Sequence, residues 1–170
     1  LILPDFGILG VLPMYLILRM KKEYLTTNSG QTKKLGKELA KKIAKTSPKK
    51  EAFVIALDGE LGGGKTTFIQ GFAKGLGVGE KILSPTFAIL KRFKIKDLRF
   101  KFFYHFDCYR IKSSEELINL GFKEIVENPQ NIIAIEWAER VNKILPRGVL
   151  KLKFEFIDEK TRKIELESGE

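Results

Sequence analysis

Cysteine is almost missing from this chain, which carries one, Cys108, in 170 residues. A single thiol cannot close an intramolecular disulfide, so the chain suits a reducing cytoplasm, and with no second thiol or ligand cluster Cys108 has no redox or metal partner. Acidic residues are also under-supplied: 21 Asp and Glu stand against 31 Lys and Arg, leaving a formal charge of +10. That balance favours phosphate-bearing partners electrostatically, but the lysines are spread along the chain instead of forming one block, so charge alone does not establish RNA contact. There is no internal repeat and no low-complexity tract, and the length suits one domain with a single core. The most apolar run, LILPDFGILGVLPMYLIL at residues 1–18, reads neither as a membrane anchor nor as a signal sequence. Pro4, Gly7, Gly10 and Pro13 interrupt it, no basic region precedes it, and no small-residue cleavage site follows. The expectation is that the domain starts at Met20, with residues 1–19 a start-site artefact or a disordered extension; the runner-up is a hydrophobic hairpin folded onto the core.

What the chain does have is Gly59-Glu60-Leu61-Gly62-Gly63-Gly64-Lys65-Thr66, which fits G-x-x-x-x-G-K-[ST] at every fixed position. Upstream, Phe53-Val54-Ile55-Ala56-Leu57 has the length and β-branched content of a buried parallel strand. Downstream, Phe68, Ile69, Phe72, Ala73 and Leu76 recur at helical spacing. The motif therefore sits between a strand and a helix, the context it needs. Glycines let successive backbone N–H groups turn inward and approach phosphate oxygens, and the helix N-terminus adds its positive dipole end there. Leu61, Gly62, Gly63, Gly64, Lys65, Thr66 and Thr67 are accordingly the candidate nucleotide-binding run, with Lys65 reaching the β- and γ-phosphates and the Thr66 hydroxyl taking one position on Mg²⁺. The bland alternative, a Gly-rich turn between strand and helix, is disfavoured by four fixed positions with correct flanks.

Along the rest of the chain, Lys21 to Thr27 reads as an edge strand, and Asn28 with Gln31 opens a helix striped by Leu35, Leu39, Ala40 and Ile43. Gly75 to Gly79 stops the loop helix. Thr86 to Ile95 and Arg99 to Asp107 form a β-hairpin, and Ser113 with Glu116 caps a short helix through Leu117 and Leu120. Asn131 to Trp137 is a second apolar strand. A short helix precedes Pro146, and the alternation from Leu150 to Phe156, a turn, and Arg162 to Glu167 make a hairpin at the sheet edge.

Asp107 and Glu136 are the acids placed at strand ends, where phosphate-loop NTPases commonly deliver a carboxylate to the metal; Glu136 leads for that role. A surface carboxylate paired with lysine is the alternative for either. His105, two residues before Asp107 and on the same strand face, reads as structural support, and Trp137 as core. A metabolite kinase would add an arginine-rich lid, but Arg92, Arg99 and Arg110 are isolated; a GTPase would want Asn-Lys-x-Asp, and Asn142-Lys143-Ile144-Leu145 lacks the acid. A nucleotide-gated assembly factor is a further alternative.

GELGGGKTT, SPTF, HFDCYR and IEW, in this order and at these intervals, resemble the TsaE family, small bacterial ATPases of tRNA threonylcarbamoyladenosine synthesis. The resemblance runs from about Tyr24 to the C-terminal hairpin. It implies an α/β P-loop NTPase fold over residues 20–170, a central parallel sheet flanked by antiparallel strands with helices on both faces. It further implies ATP or ADP bound with Mg²⁺, slow hydrolysis, and a cytoplasmic role resetting the TsaB and TsaD proteins between turnovers, with tRNA met only through that complex and no membrane involved. By motif it carries Lys65 and Thr66 to phosphate and metal, Glu136 to the metal, Asp107 to hydrolysis, Ser84-Pro85-Thr86-Phe87 to a switch-like segment near the γ-phosphate, and Thr27 to the adenine side. Glu60 and Gly63 stand where the family often has Asp and Ala, changes that leave a backbone cradle intact.

Overall fold

The computed structural model describes residues 21–84, 87–96 and 99–168. The expectations for residues 1–19, and for Pro85 and Thr86, lie outside the described residues. In chain order the elements are β1 (Lys22–Thr26), α1 (Ser29–Ala44), β2 (Phe53–Gly59), α2 (Lys65–Gly75), β3 (Leu90–Lys94), β4 (Phe102–Asp107), α3 (Ser114–Asn119), α4 (Phe122–Glu127), β5 (Asn131–Glu136), a 3₁₀ segment (Ala138–Ile144), β6 (Leu150–Phe156) and β7 (Arg162–Ser168).

The strands form one seven-stranded sheet in the order β1-β7-β6-β2-β5-β4-β3. β6, β2, β5 and β4 run parallel at its centre. The β1–β7–β6 pairings on one side and β3 on the other are antiparallel. This is the mixed α/β architecture that the family resemblance implies, with one correction to the reading of the strands. The β6–β7 hairpin is not at the sheet edge, because β1 pairs along β7, from Lys22 opposite Leu166 to Thr26 opposite Arg162.

The buried strands read as unbroken apolar runs because both of their faces are covered. On β2, Ile55 and Leu57 point into one core with Phe68, Phe72 and Leu39, while Val54 and Ala56 point into the other with Leu117, Phe122 and Val141. On β5, Ile132 and Ala134 join the first core, and Ile133 and Ile135 the second. Helices α1 and α2 therefore cover one face, and α3, α4 and the 3₁₀ segment the other.

α1 and α2 lie backbone to backbone. A Cβ added at Gly71 would fall 1.9 Å from the Lys33 carbonyl oxygen, so only glycine permits that approach. The entry to α1 is fixed as its sequence indicates: the Asn28 side chain accepts from Gln31 N at 2.9 Å, and the Gln31 side chain reaches back to Thr27 N at 2.8 Å. Two departures are local. The hairpin strands begin later than their composition suggests, at Leu90 and Phe102. α4 was not foreseen; it is held by Asn131 Nδ2 donating to Ile125 O at 2.9 Å and by Ala52 N donating to Val126 O at 2.8 Å, contacts that only the folded chain creates.

Candidate phosphate-binding site

The parallel register brings three carboxyl ends of the central strands together: Leu57 on β2 faces Glu136 on β5, and Glu136 faces Asp107 on β4. The chain after β2 turns through the glycine run, with Gly62 at φ 76° and Gly64 at φ 96°, and starts α2 at Lys65. A φ of that sign is costly for any residue with a Cβ, which is why Gly64 sits there. The result is a cavity of about 450 Å³ lined by Leu61, Gly62, Gly63, Gly64, Lys65, Thr66, Thr67, Ser84, Asp107, Tyr109, Glu136 and Trp137. Ten of the residues given a site role from sequence, Leu61 to Thr67 with Ser84, Asp107 and Glu136, thus meet in one place. Thr27 is not among the lining residues; its backbone N–H and hydroxyl both engage Gln31 Oε1.

Lys65 is almost fully buried. Its Nζ donates to Gly59 O at 2.6 Å and Glu60 O at 2.8 Å, and lies 3.9 Å above the centre of the Trp137 ring. Burial pulls its pKa down, opposed by the carboxylates of Glu136, Glu139, Asp107 and Asp58. The loop thus carries a cation seated on backbone carbonyls and an aromatic face, arrangements that hold charge without consuming it in an ion pair.

The Thr66 hydroxyl lies 3.0 and 2.8 Å from the two carboxylate oxygens of Glu136, and His105 Nε2 sits 2.8 Å from Oε1. Glu136 is 3% exposed and His105 fully buried, so the carboxylate is fixed from two sides. Asp107 is held separately: Oδ2 accepts from the Ser84 hydroxyl, and Oδ1 from Tyr109 N at 3.0 Å. His105 therefore does act as support, and its object is Glu136.

Three participants were not identified from sequence. Trp137, read as core, occupies the left-handed region at φ 58° as β5 ends, which turns its ring under Lys65 and beside Tyr109, 5.0 Å between ring centres. Tyr109 lines the cavity from the loop after β4. Arg162, at the start of β7, donates through Nε to Gly62 O at 3.0 Å and through Nη1 to Thr161 O at 2.9 Å, with its guanidinium 4.4 Å over Phe156. Only the positive φ at Trp137 and a 100-residue separation at Arg162 reveal these roles, and neither is visible in a linear motif.

The sequence model of a protein family described as "Threonylcarbamoyl adenosine biosynthesis protein TsaE" matches residues 26–164. The chain belongs to the TsaE family. Among curated TsaE proteins, that of Rickettsia felis is 36% identical over 139 residues, covering 81% of this chain and 75% of the relative. The Haemophilus influenzae protein is 35% identical over 133 residues, covering 78% and 80%. Both relatives are named tRNA threonylcarbamoyladenosine biosynthesis protein TsaE. The crystal structure of Bacillus subtilis YdiB superposes with a TM-score of 0.68 at 29% identity, covering 88% of this chain and 86% of that one. The matched TsaE span contains the phosphate loop, Asp107, Glu136 and Arg162. Among the described residues no helix is long and apolar enough to cross a membrane.

Proposed function

We propose that this TsaE-family chain binds and slowly hydrolyses ATP as the cytoplasmic nucleotide-dependent component of tRNA threonylcarbamoyladenosine synthesis, resetting a complex of TsaB and TsaD proteins between turnovers. The observation that supports this most is the meeting of Lys65, Thr66, Asp107 and Glu136 at one end of the parallel sheet beside the glycine loop. The backbone amides of residues 61–66 and the start of α2 receive the phosphates. Lys65 then exchanges the carbonyls of Gly59 and Glu60 for β- and γ-phosphate oxygens, a trade of neutral acceptors for charged ones that its buried setting favours.

The donor set suits Mg²⁺. Thr66 and Glu136 offer hard oxygens already within hydrogen-bond distance of each other, and the described residues contain no group of three or more His, Cys, Asp or Glu that would cage a metal without help. That matches an ion bound by one or two side chains together with nucleotide phosphates and water. When bound, Mg²⁺ neutralises charge developing between the β- and γ-phosphates. His105 fixes the Glu136 carboxylate from below, and Asp107, tethered through Ser84 and Tyr109 N, orients the attacking water. Trp137 and Lys65 exclude bulk solvent from the floor.

Turnover measured with purified TsaB and TsaD tests the reading. Lys65→Ala is expected to abolish hydrolysis, and Glu136→Gln to leave ATP binding measurable while turnover falls by about 10²-fold or more. Wild-type turnover in Lys65→Ala refutes the site. Binding and complex formation with no turnover in the native chain would leave an assembly factor gated by nucleotide in place of an ATPase.

A further inference from the structure

Lysines that are scattered along the sequence converge in the folded chain. A groove of about 780 Å³ runs between α1, α2 and the segment that follows α2. Lys33, Lys34 and Lys37 project into it from α1, Lys74 from α2 and Lys81 from the following segment. Two acids share the lining, Glu38 and Glu80, and Glu38 is drawn toward Lys41, 3.5 Å away outside the groove. The groove exists because α1 and α2 approach at Gly71, which brings lysines 41 residues apart, such as Lys33 and Lys74, onto the two walls of one channel.

We propose that this groove is a docking surface for the phosphate backbone of RNA. It goes beyond the nucleotide reading and does not depend on it, because none of its residues lines the phosphate-loop cavity. The lining chemistry decides between RNA and an acidic protein. Protein interfaces anchor on exposed aromatic and arginine side chains. The described lining has neither; its larger apolar residues, Val78 and Ile82, are themselves buried at 9% and 4% exposure. What remains is depth and point charges on flexible stems, which is what phosphate contacts require and what base reading does not. The surface is therefore expected to bind without sequence preference. The tRNA in the printed names of the relatives supplies an RNA of the right class. Gln70 Nε2 donates to Ile82 O at 3.2 Å, tying the groove wall on α2 to the segment that follows it.

The test is a fluorescence anisotropy titration of the full chain with a transcribed tRNA, without nucleotide, at several potassium chloride concentrations. The combined variant Lys33→Glu, Lys37→Glu, Lys74→Glu, Lys81→Glu is expected to weaken binding by about 30-fold or more and to lower the slope of log affinity against log salt by about 3. A control reversing Lys94, Lys123, Lys143 and Lys160 removes equal charge elsewhere and is expected to change affinity by no more than about threefold. An unchanged circular dichroism spectrum and thermal melting midpoint in the groove variant report intact folding; should it not fold, Lys33→Gln with Lys74→Gln is expected to give the same direction at about fivefold. Lys65→Ala keeps its tRNA affinity under this proposal, which separates its failure from failure of the nucleotide reading. Equal losses in groove and control variants, or tRNA affinity untouched while association with TsaB and TsaD is lost, overturn it.

Discussion

The carboxyl ends of the central strands and the layer where α1 and α2 cover them are built from the same strands by opposite rules. Beneath the helices, β2 and β5 contribute Ile55, Leu57, Ile132 and Ala134 to a core with Phe68, Phe72 and Phe154, where many contacts share each burden. At the strand ends the buried groups are Lys65, His105, Asp107 and Glu136; Lys65, Asp107 and Glu136 are each fixed by at least two named atoms, and His105 by its bond to Glu136. A core of the first kind tolerates a one-atom change and suffers from lost volume. A site of the second kind suffers from one lost atom, and its paired charges add little net stability over a well-packed apolar replacement.

The two regions should consequently fail in different measurements. Lys65→Ala is expected to cost about 4 kcal/mol or more of transition-state stabilisation, read as roughly a thousandfold loss of turnover, with denaturation shifted by less than about 1 kcal/mol. Phe72→Ala, at a fully buried ring packed against Phe68 and Phe103, is expected to do the reverse. It should destabilise the fold by about 3 kcal/mol in urea titration while the folded fraction keeps native ATP affinity. A large stability loss in the lysine variant would erase the distinction. Arg162→Ala sharpens it at the boundary. Loss of the donor to Gly62 O loosens the loop without emptying the core, and ATP affinity is expected to fall about tenfold, near 1.4 kcal/mol by calorimetry.

The smallest effect concerns Glu139, whose backbone N–H donates to Asp58 Oδ1 at 3.0 Å on the rim of the site. Desolvation, then hydrogen bonding to Asp58, pushes its carboxyl from 4.5 up to about 7. A carboxyl raised on folding favours the native state below its unfolded pKa and loses that contribution as pH rises through the folded one. Stability should therefore decline slightly between pH 4.5 and 7, and Glu139→Gln should flatten that decline in thermal melts; an unchanged slope would contradict the assignment. Because the residue is exposed, the change is expected to be small.

Legibility from sequence followed the same divide. β2, the glycine loop, α2 and β5 were readable because burial on both faces writes a continuous apolar run and because phosphate approach demands glycine at fixed spacing. Glu136 and Asp107 were readable as strand-end acids. Their partners were less so: His105 is joined to Glu136 by the parallel register of β4 and β5, and Ser84 to Asp107 by a loop returning from α2. Arg162 and the lysine groove depend on pairings between distant segments, which no local period encodes. The hairpin of β6 and β7 was seen but misplaced, since a two-residue alternation shows which face a residue takes and says nothing about whether β1 lies alongside. α4 is six residues, too short to carry a helical period of its own.

The central claim is that adenine nucleotide triphosphate is gripped by the main-chain amides after β2, with Lys65 and a metal held by Thr66 and Glu136 balancing its charge. Isothermal titration of ATP into the native chain and into Lys65→Ala, each with and without Mg²⁺, tests it most directly. Saturable binding in the native chain, tightened by Mg²⁺ and lost in the variant, is the predicted result. No heat of association in the native chain at any magnesium or salt concentration, or equal binding by the two chains, would contradict it.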